Sequence, residues 1–198
     1  MMQKIILLFL YSTLQYTYGQ STTASYPSGI YDTFQDFLKK VPASEEHITV
    51  QEDRNIISNN FKITDSHGKK VKNAFAVSDG KDLYIRTNAM KDYFTNSQFD
   101  KPNAANKDYS KVHLKKDNYL YLECFFQSKG ASTWGVGKIY LLGIMCDLSN
   151  SSFSIFKTTE DLNAFLKSVN LQQLSTENSN HNQLDINTTR KAIIPLFE

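Results

Sequence analysis

Two cysteines, four histidines and one tryptophan in 198 residues leave little material for several kinds of chemistry. No histidine stands in an H-E-x-x-H arrangement, and no G-x-S-x-G elbow occurs, so the local signatures of zinc and serine hydrolases are missing. The glycine-rich stretch Gly130 to Lys138 carries Val136 where a phosphate loop needs lysine, and an apolar strand pattern rather than a helix follows it. Neither a metal nor a cofactor is expected from these patterns. An excess of one charge is also missing: 22 Lys and Arg face 20 Asp and Glu, which gives no basic field for nucleic acid. No apolar run approaches the roughly twenty residues of a membrane-spanning helix. What the chain does have is aromatic mass, 13 Phe and 11 Tyr, enough for the core of a single domain.

The N-terminus carries the most specific signal. Lys4 precedes the unbroken apolar run Ile5 to Leu10, and Thr17-Tyr18-Gly19 closes the segment on a small residue. That order predicts a secretory signal peptide over residues 1–19, removed before Gln20. A retained anchor would need a run about twice as long, so no transmembrane anchor is expected after processing, and the destination is the periplasm or the cell exterior. Residues 20–29 are polar and contain proline, and they read as a linker. Residues 30–174 form the expected domain. Residues 175–198, rich in Ser, Asn and Gln at their start, read as a flexible tail with a short helix near Thr188 to Ile194, and the domain is expected to fold without them.

Within the domain the hydrophobic period changes twice. Phe34, Phe37, Leu38 and Val41 repeat at helical spacing behind Asp32 and Thr33, and Pro42 stops the run. Leu162, Phe165, Leu166 and Val169 repeat the stripe behind Thr158 and Thr159. Between the two helices the period is two. Strands are expected over Ile48 to Gln51, Phe61 to Thr64, Val71 to Val77, Leu83 to Arg86, Val112 to Lys115, Tyr119 to Phe126, Ile139 to Leu148 and Phe153 to Phe156, with Gly68 and Gly80 supplying the positive φ of tight turns. The fold class that follows is α+β: a mostly antiparallel sheet of seven or eight short strands built from hairpins, flanked by two amphipathic helices.

Four segments carry a resemblance. Gly29-Ile-Tyr-Asp-Thr-Phe-Gln-Asp-Phe-Leu38, Phe61-Lys-Ile-Thr-Asp-Ser-His-Gly-Lys-Lys70, Asn73-Ala-Phe-Ala-Val-Ser-Asp-Gly-Lys-Asp-Leu-Tyr-Ile85 and Cys146-Asp-Leu to Phe153-Ser-Ile-Phe-Lys157 with the helix after it are similar to a group of uncharacterised exported proteins of Bacteroidetes, which share a GIYxTFxDF opening and a DGKxxYI strand. The resemblance spans most of residues 29–169. It implies a bacterial exported domain and lends no catalytic residue.

The candidate binding residues are Tyr93, Phe94 and Phe99, in the long Asn-rich connection Thr87 to Lys107. A solvated loop has no use for three aromatics, so they are expected either to contact a partner or to fold back as a lid over the sheet. Cys124 and Cys146 suggest either a disulfide worth on the order of 3 kcal/mol or two buried thiols. His67 and His181 read as solvated. Lys69, Lys70, Lys72 and Lys81 read as a solvated strand face or an anion-contacting patch. Asp79, Asp82, Asp117 and Asp147 fall at turns. The functional expectation is an exported, non-catalytic binding or structural protein of the envelope, with an envelope or extracellular protein or a glycan as partner. The alternative is an exported hydrolase using a pair of carboxylates.

Overall fold

The computed structural model describes residues 25–53, 60–95, 109–127, 139–175 and 184–198. The signal-peptide segment, Phe99, Trp134 and His181 lie outside the described residues. Among those described, the chain forms a nine-stranded antiparallel sheet with three α-helices.

The sheet runs β1 (Gly29–Tyr31), β4 (Ala76–Ser78), β5 (Leu83–Arg86), β6 (Tyr109–Lys116), β7 (Tyr119–Gln127), β8 (Ile139–Asp147), β9 (Ser152–Phe156). The hairpin of β2 (Thr49–Asp53) and β3 (Asn60–Thr64) joins at Tyr109 of β6, beyond the stretch Val112 to Lys116 that pairs with β7. Turn chemistry sets the register of the expected hairpins. Gly80 sits at φ 88° between β4 and β5, and Asp117 at φ 49° between β6 and β7. The hairpin expected between β3 and β4 does not form. Lys70 makes one bridge to Thr64, and the chain then leaves so that β4 can pair with β1 and β5.

Both sequence-predicted helices are present and closed by capping boxes. Thr33 accepts from Asp36 N ahead of α1 (Phe34–Lys39), and Thr158 accepts from Asp161 N ahead of α2 (Thr159–Ser168). The first helix stops early, because Lys40 turns to φ 55° and leaves Val41 61% exposed instead of on the buried stripe.

Alternation along the central strands buries both faces of the sheet. Leu120, Leu122 and Cys124 of β7 and Leu142, Ile144 and Cys146 of β8 face an aromatic core with Tyr26, Tyr31, Phe34, Phe37, Phe75 and Phe153. Tyr121 and Met145, from the same two strands, face α2 and a third helix, α3 (Ile186–Ile193), with Phe156, Leu162, Leu166 and Ile193. A third cluster joins Ile63 of β3, Val77 of β4, Tyr84 of β5 and Tyr109 of β6.

Two expected boundaries move. The presumed linker is structural from Tyr26 onward: that ring is 3% exposed and stacks on Phe37 at 4.8 Å, while Gly29 to Tyr31 pair with β4. The described part of the expected flexible tail, 184–198, docks, with Leu184, Thr189 and Ile193 buried. Polarity misled in both cases, since a few well-spaced apolar side chains anchor a segment that is polar on average.

Candidate functional site

The long connection after β5 begins as a 3-10 segment, Thr87–Tyr93, pinned by the wholly buried Met90. The Tyr93 ring lies 4.1 Å from Phe34 and 5.9 Å from Phe75. Phe94 bridges to Phe153, Thr95 N donates to Phe153 O at 3.0 Å, and the Phe94 and Phe153 rings are 6.2 Å apart. Tyr93 and Phe94 therefore pack back on the core as a lid along β9. Of the two expectations for these aromatics, the lid describes how Tyr93 and Phe94 pack, and both rings keep part of their surface exposed.

Cys124 and Cys146 are free, buried thiols. The β7–β8 register puts Cys124 opposite Leu142 and Cys146 opposite Leu120, so the two sulfurs belong to different rungs of the ladder, and the disulfide assignment is corrected accordingly. Burial pushes the Cys124 thiol up to about 11, although its contacts with Ser110 Oγ at 3.0 Å and Thr87 Oγ1 at 3.6 Å act the other way. Burial also raises Cys146. Neither thiol has the access or the lowered pKa of a nucleophile.

The turn aspartates have backbone tasks. Asp79 Oδ1 accepts from Lys81 N at 2.9 Å and Asp82 N at 2.6 Å, and Asp147 Oδ1 accepts from Ser149 N at 2.9 Å. Asp82 pairs with Lys111 at 2.7 Å.

A polar constellation that sequence reasoning missed lies under α3. Glu123 has a side chain only 3% exposed, and Arg190 grips it at 2.6 Å through both Nε and Nη2. Tyr121 Oη donates to Glu123 Oε1 at 3.0 Å. The hydrogen bond to Glu123 raises the Arg190 pKa, and burial followed by the Glu123 charge raises that of Tyr121. Gly143 makes the docking fit, since a Cβ there would stand 2.9 Å from both Thr189 Cγ2 and Tyr121 Oη. The available signal was the lone carboxylate inside the apolar run of β7, a position that demands a partner. The constellation is a clasp, because both Glu123 oxygens are held by the Arg190 guanidinium, whose Nη1 turns to Asn187 Oδ1 at 3.3 Å.

Two open grooves flank this helical layer. One, of about 370 Å³, lies between α3 and the segment after α2, with Leu171, Leu174 and Pro195 as apolar wall and Gln172, Gln173 and Lys191 as polar rim. The other, of about 380 Å³, lies between Thr95 and Ser154 on one side and Glu160, Ala164 and Ser168 of α2 on the other. A separate cluster joins Glu46, in the connection from α1 to β2, with Asp65 and His67 of the turn after β3; one ligand atom from each lies within 4.8 Å of the others.

The fold defines an α+β protein whose antiparallel sheet carries helices on one face and an aromatic cluster with its lid on the other. No protein-family model, no curated protein and no solved structure matches the chain. Among the described residues no helix is long and apolar enough to cross a membrane.

Proposed function

We propose that the chain is an exported, non-catalytic binding or structural component of a bacterial envelope, acting in the periplasm or outside the cell after loss of residues 1–19. The signal-peptide pattern and the resemblance to exported Bacteroidetes proteins support export. The observation that carries the binding reading is the 370 Å³ groove beside α3, where amides and an ammonium surround an aliphatic wall. Such a lining hydrogen-bonds and packs against a polymer segment, and no carboxylate pair stands on it to cleave one. The turn aspartates that a carboxylate hydrolase would draw on are held by backbone N–H groups and by Lys111.

A photo-crosslinking residue placed at Gln173 in the exporting bacterium tests the groove. A covalent adduct with an envelope macromolecule is expected, and none from the same probe at Asp117. Equal labelling at both positions, or hydrolysis of glycoside or peptide substrates by the purified chain, would overturn the reading. The intact mass of the envelope-fraction protein tests export: it should begin at Gln20, and a dominant species retaining Met1 would refute processing.

A further inference from the structure

Glu46, Asp65 and His67 combine two carboxylates with an imidazole, the ligand types of a borderline divalent metal, and one ligand atom from each lies within 4.8 Å of the others. A second observation distinguishes this cluster from an ordinary acidic patch. Glu46 Oε2 is shielded from solvent and has no hydrogen-bond partner among the described residues. A carboxylate oxygen withdrawn from water and left without a hydrogen-bond donor is costly, and a cation would relieve it.

The other two ligands are positioned by their own turn. Asp65 Oδ1 accepts from His67 N at 2.9 Å and from Lys69 N at 2.8 Å, which fixes the carboxylate and leaves Oδ2 for a further partner. His67 Nδ1 lies 3.2 Å from Ser66 Oγ, so with the proton on Nδ1 the Nε2 lone pair becomes the ligand. Tetrahedral ligands at about 2.1 Å from a metal stand about 3.4 Å apart, so closing the cluster takes shifts of up to about 1.4 Å. The His67 side chain is exposed and therefore free of the packing that would hold it in place.

We infer that Glu46, Asp65 and His67 bind a divalent transition-metal cation of the Zn²⁺ type, with at least one coordination position left open to water or a ligand. The imidazole sets this preference over Ca²⁺ and Mg²⁺, which favour all-oxygen sites. The inference stands apart from the groove beside α3, which draws on other residues.

The test uses the full mature chain, stripped with chelator and titrated with ZnCl₂ by calorimetry, with metal content measured by mass spectrometry. One equivalent of Zn²⁺ is expected, with Mg²⁺ and Ca²⁺ binding far more weakly. Glu46→Gln and His67→Ala should each weaken binding roughly tenfold or more, since loss of even an outer-shell partner of a metal ligand has that effect. His47→Ala, the neighbouring imidazole outside the cluster, should leave it unchanged. Asp65 is left intact because its Oδ1 holds the turn. Circular dichroism of each variant confirms folding, and a Zn²⁺-dependent shift of the His67 Nε2 resonance gives a readout independent of affinity. Absence of Zn²⁺ binding at millimolar metal, binding that survives Glu46→Gln and His67→Ala, or equal loss in His47→Ala would each overturn the site.

Discussion

The two faces of the central sheet are held by different physics. On one face, Tyr26, Tyr31, Phe34, Phe37, Phe75 and Phe153 form an aromatic cluster with Tyr93 and Phe94 as its lid, and ring centroids lie 4.1 to 6.4 Å apart across the pairs among them. On the other, α2 and α3 cover β7 to β9 with a mixture of Leu162, Leu166 and Ile193 and the rings of Tyr121, Phe156 and Phe165, beside an ion pair whose Glu123 half is buried. The aromatic face gains from area and from edge contacts that tolerate small shifts. The helical face depends on a charged contact that gives specificity but becomes a penalty if either partner is lost. The two faces share β7, where each successive residue from Leu120 to Cys124 changes side.

The largest expected effect breaks the helical face altogether. Deleting 184–198 strips Leu184, Ile193 and Arg190 from β7 and β8 at once and should cost more than about 5 kcal/mol by area and ion-pair loss together. Chemical denaturation checks this. A cooperative transition of unchanged midpoint would show that α3 is an ornament on a self-sufficient aromatic face.

Next comes the hub of the aromatic face. Phe34 contacts the rings of Phe37, Phe75, Tyr93 and Phe153, and Phe34→Ala should cost about 3 to 5 kcal/mol in urea unfolding. A loss below about 1 kcal/mol would place the aromatic core elsewhere.

The ion pair sharpens the comparison. Arg190→Ala leaves Glu123 buried and uncompensated and should cost about 2 to 4 kcal/mol, near or below the full range for buried pairs because the Arg190 side chain is 47% exposed. The double variant Glu123→Leu with Arg190→Met should recover most of that loss, which a double-mutant cycle measures. Failure to recover would mean that the charge pair itself, and not avoidance of an orphaned carboxylate, holds α3.

The smallest effect is a pH dependence. Desolvation holds the His113 imidazole below the ordinary 6.5, with the nearby Glu123 charge opposing the shift and Arg190 and Lys111 adding to it. The unfolded chain then binds the proton more readily, so the contribution of His113 is complete above about 6.5 and fades as pH falls toward its folded value. His113→Gln should flatten this part of the stability profile measured by thermal melts, and an unchanged slope would remove His113 from the account.

Legibility from sequence differed by element. The capped helices α1 and α2 and the turns at Gly80 and Asp117 were readable because their signals sit within a few residues of the structure they set. The shared face of Leu120, Leu122, Cys124 and Phe126 was readable from period two. Tyr93 and Phe94 were correctly singled out as unusual, but whether such aromatics face a partner or the core depends on Phe34 and Phe153, far away in the chain. Alternation likewise could not reveal that the opposite face of β7 is buried too, since Tyr121 and Glu123 look like the polar side of a solvated strand until α3 covers them.

The sequence by itself determined the class of the fold, the positions of its caps and turns and one face of its central strands, because these follow from backbone geometry and local spacing. Only the tertiary structure decided that Tyr26 closes the aromatic core, that α3 clasps Glu123, that the two thiols lie on separate rungs and that Glu46 meets Asp65 and His67. Each of these joins residues separated in the chain, as Arg190 and Glu123 are at 67 positions apart. Such pairings are fixed by which buried groups need area or charge compensation after the sheet has formed, and no local pattern encodes that need.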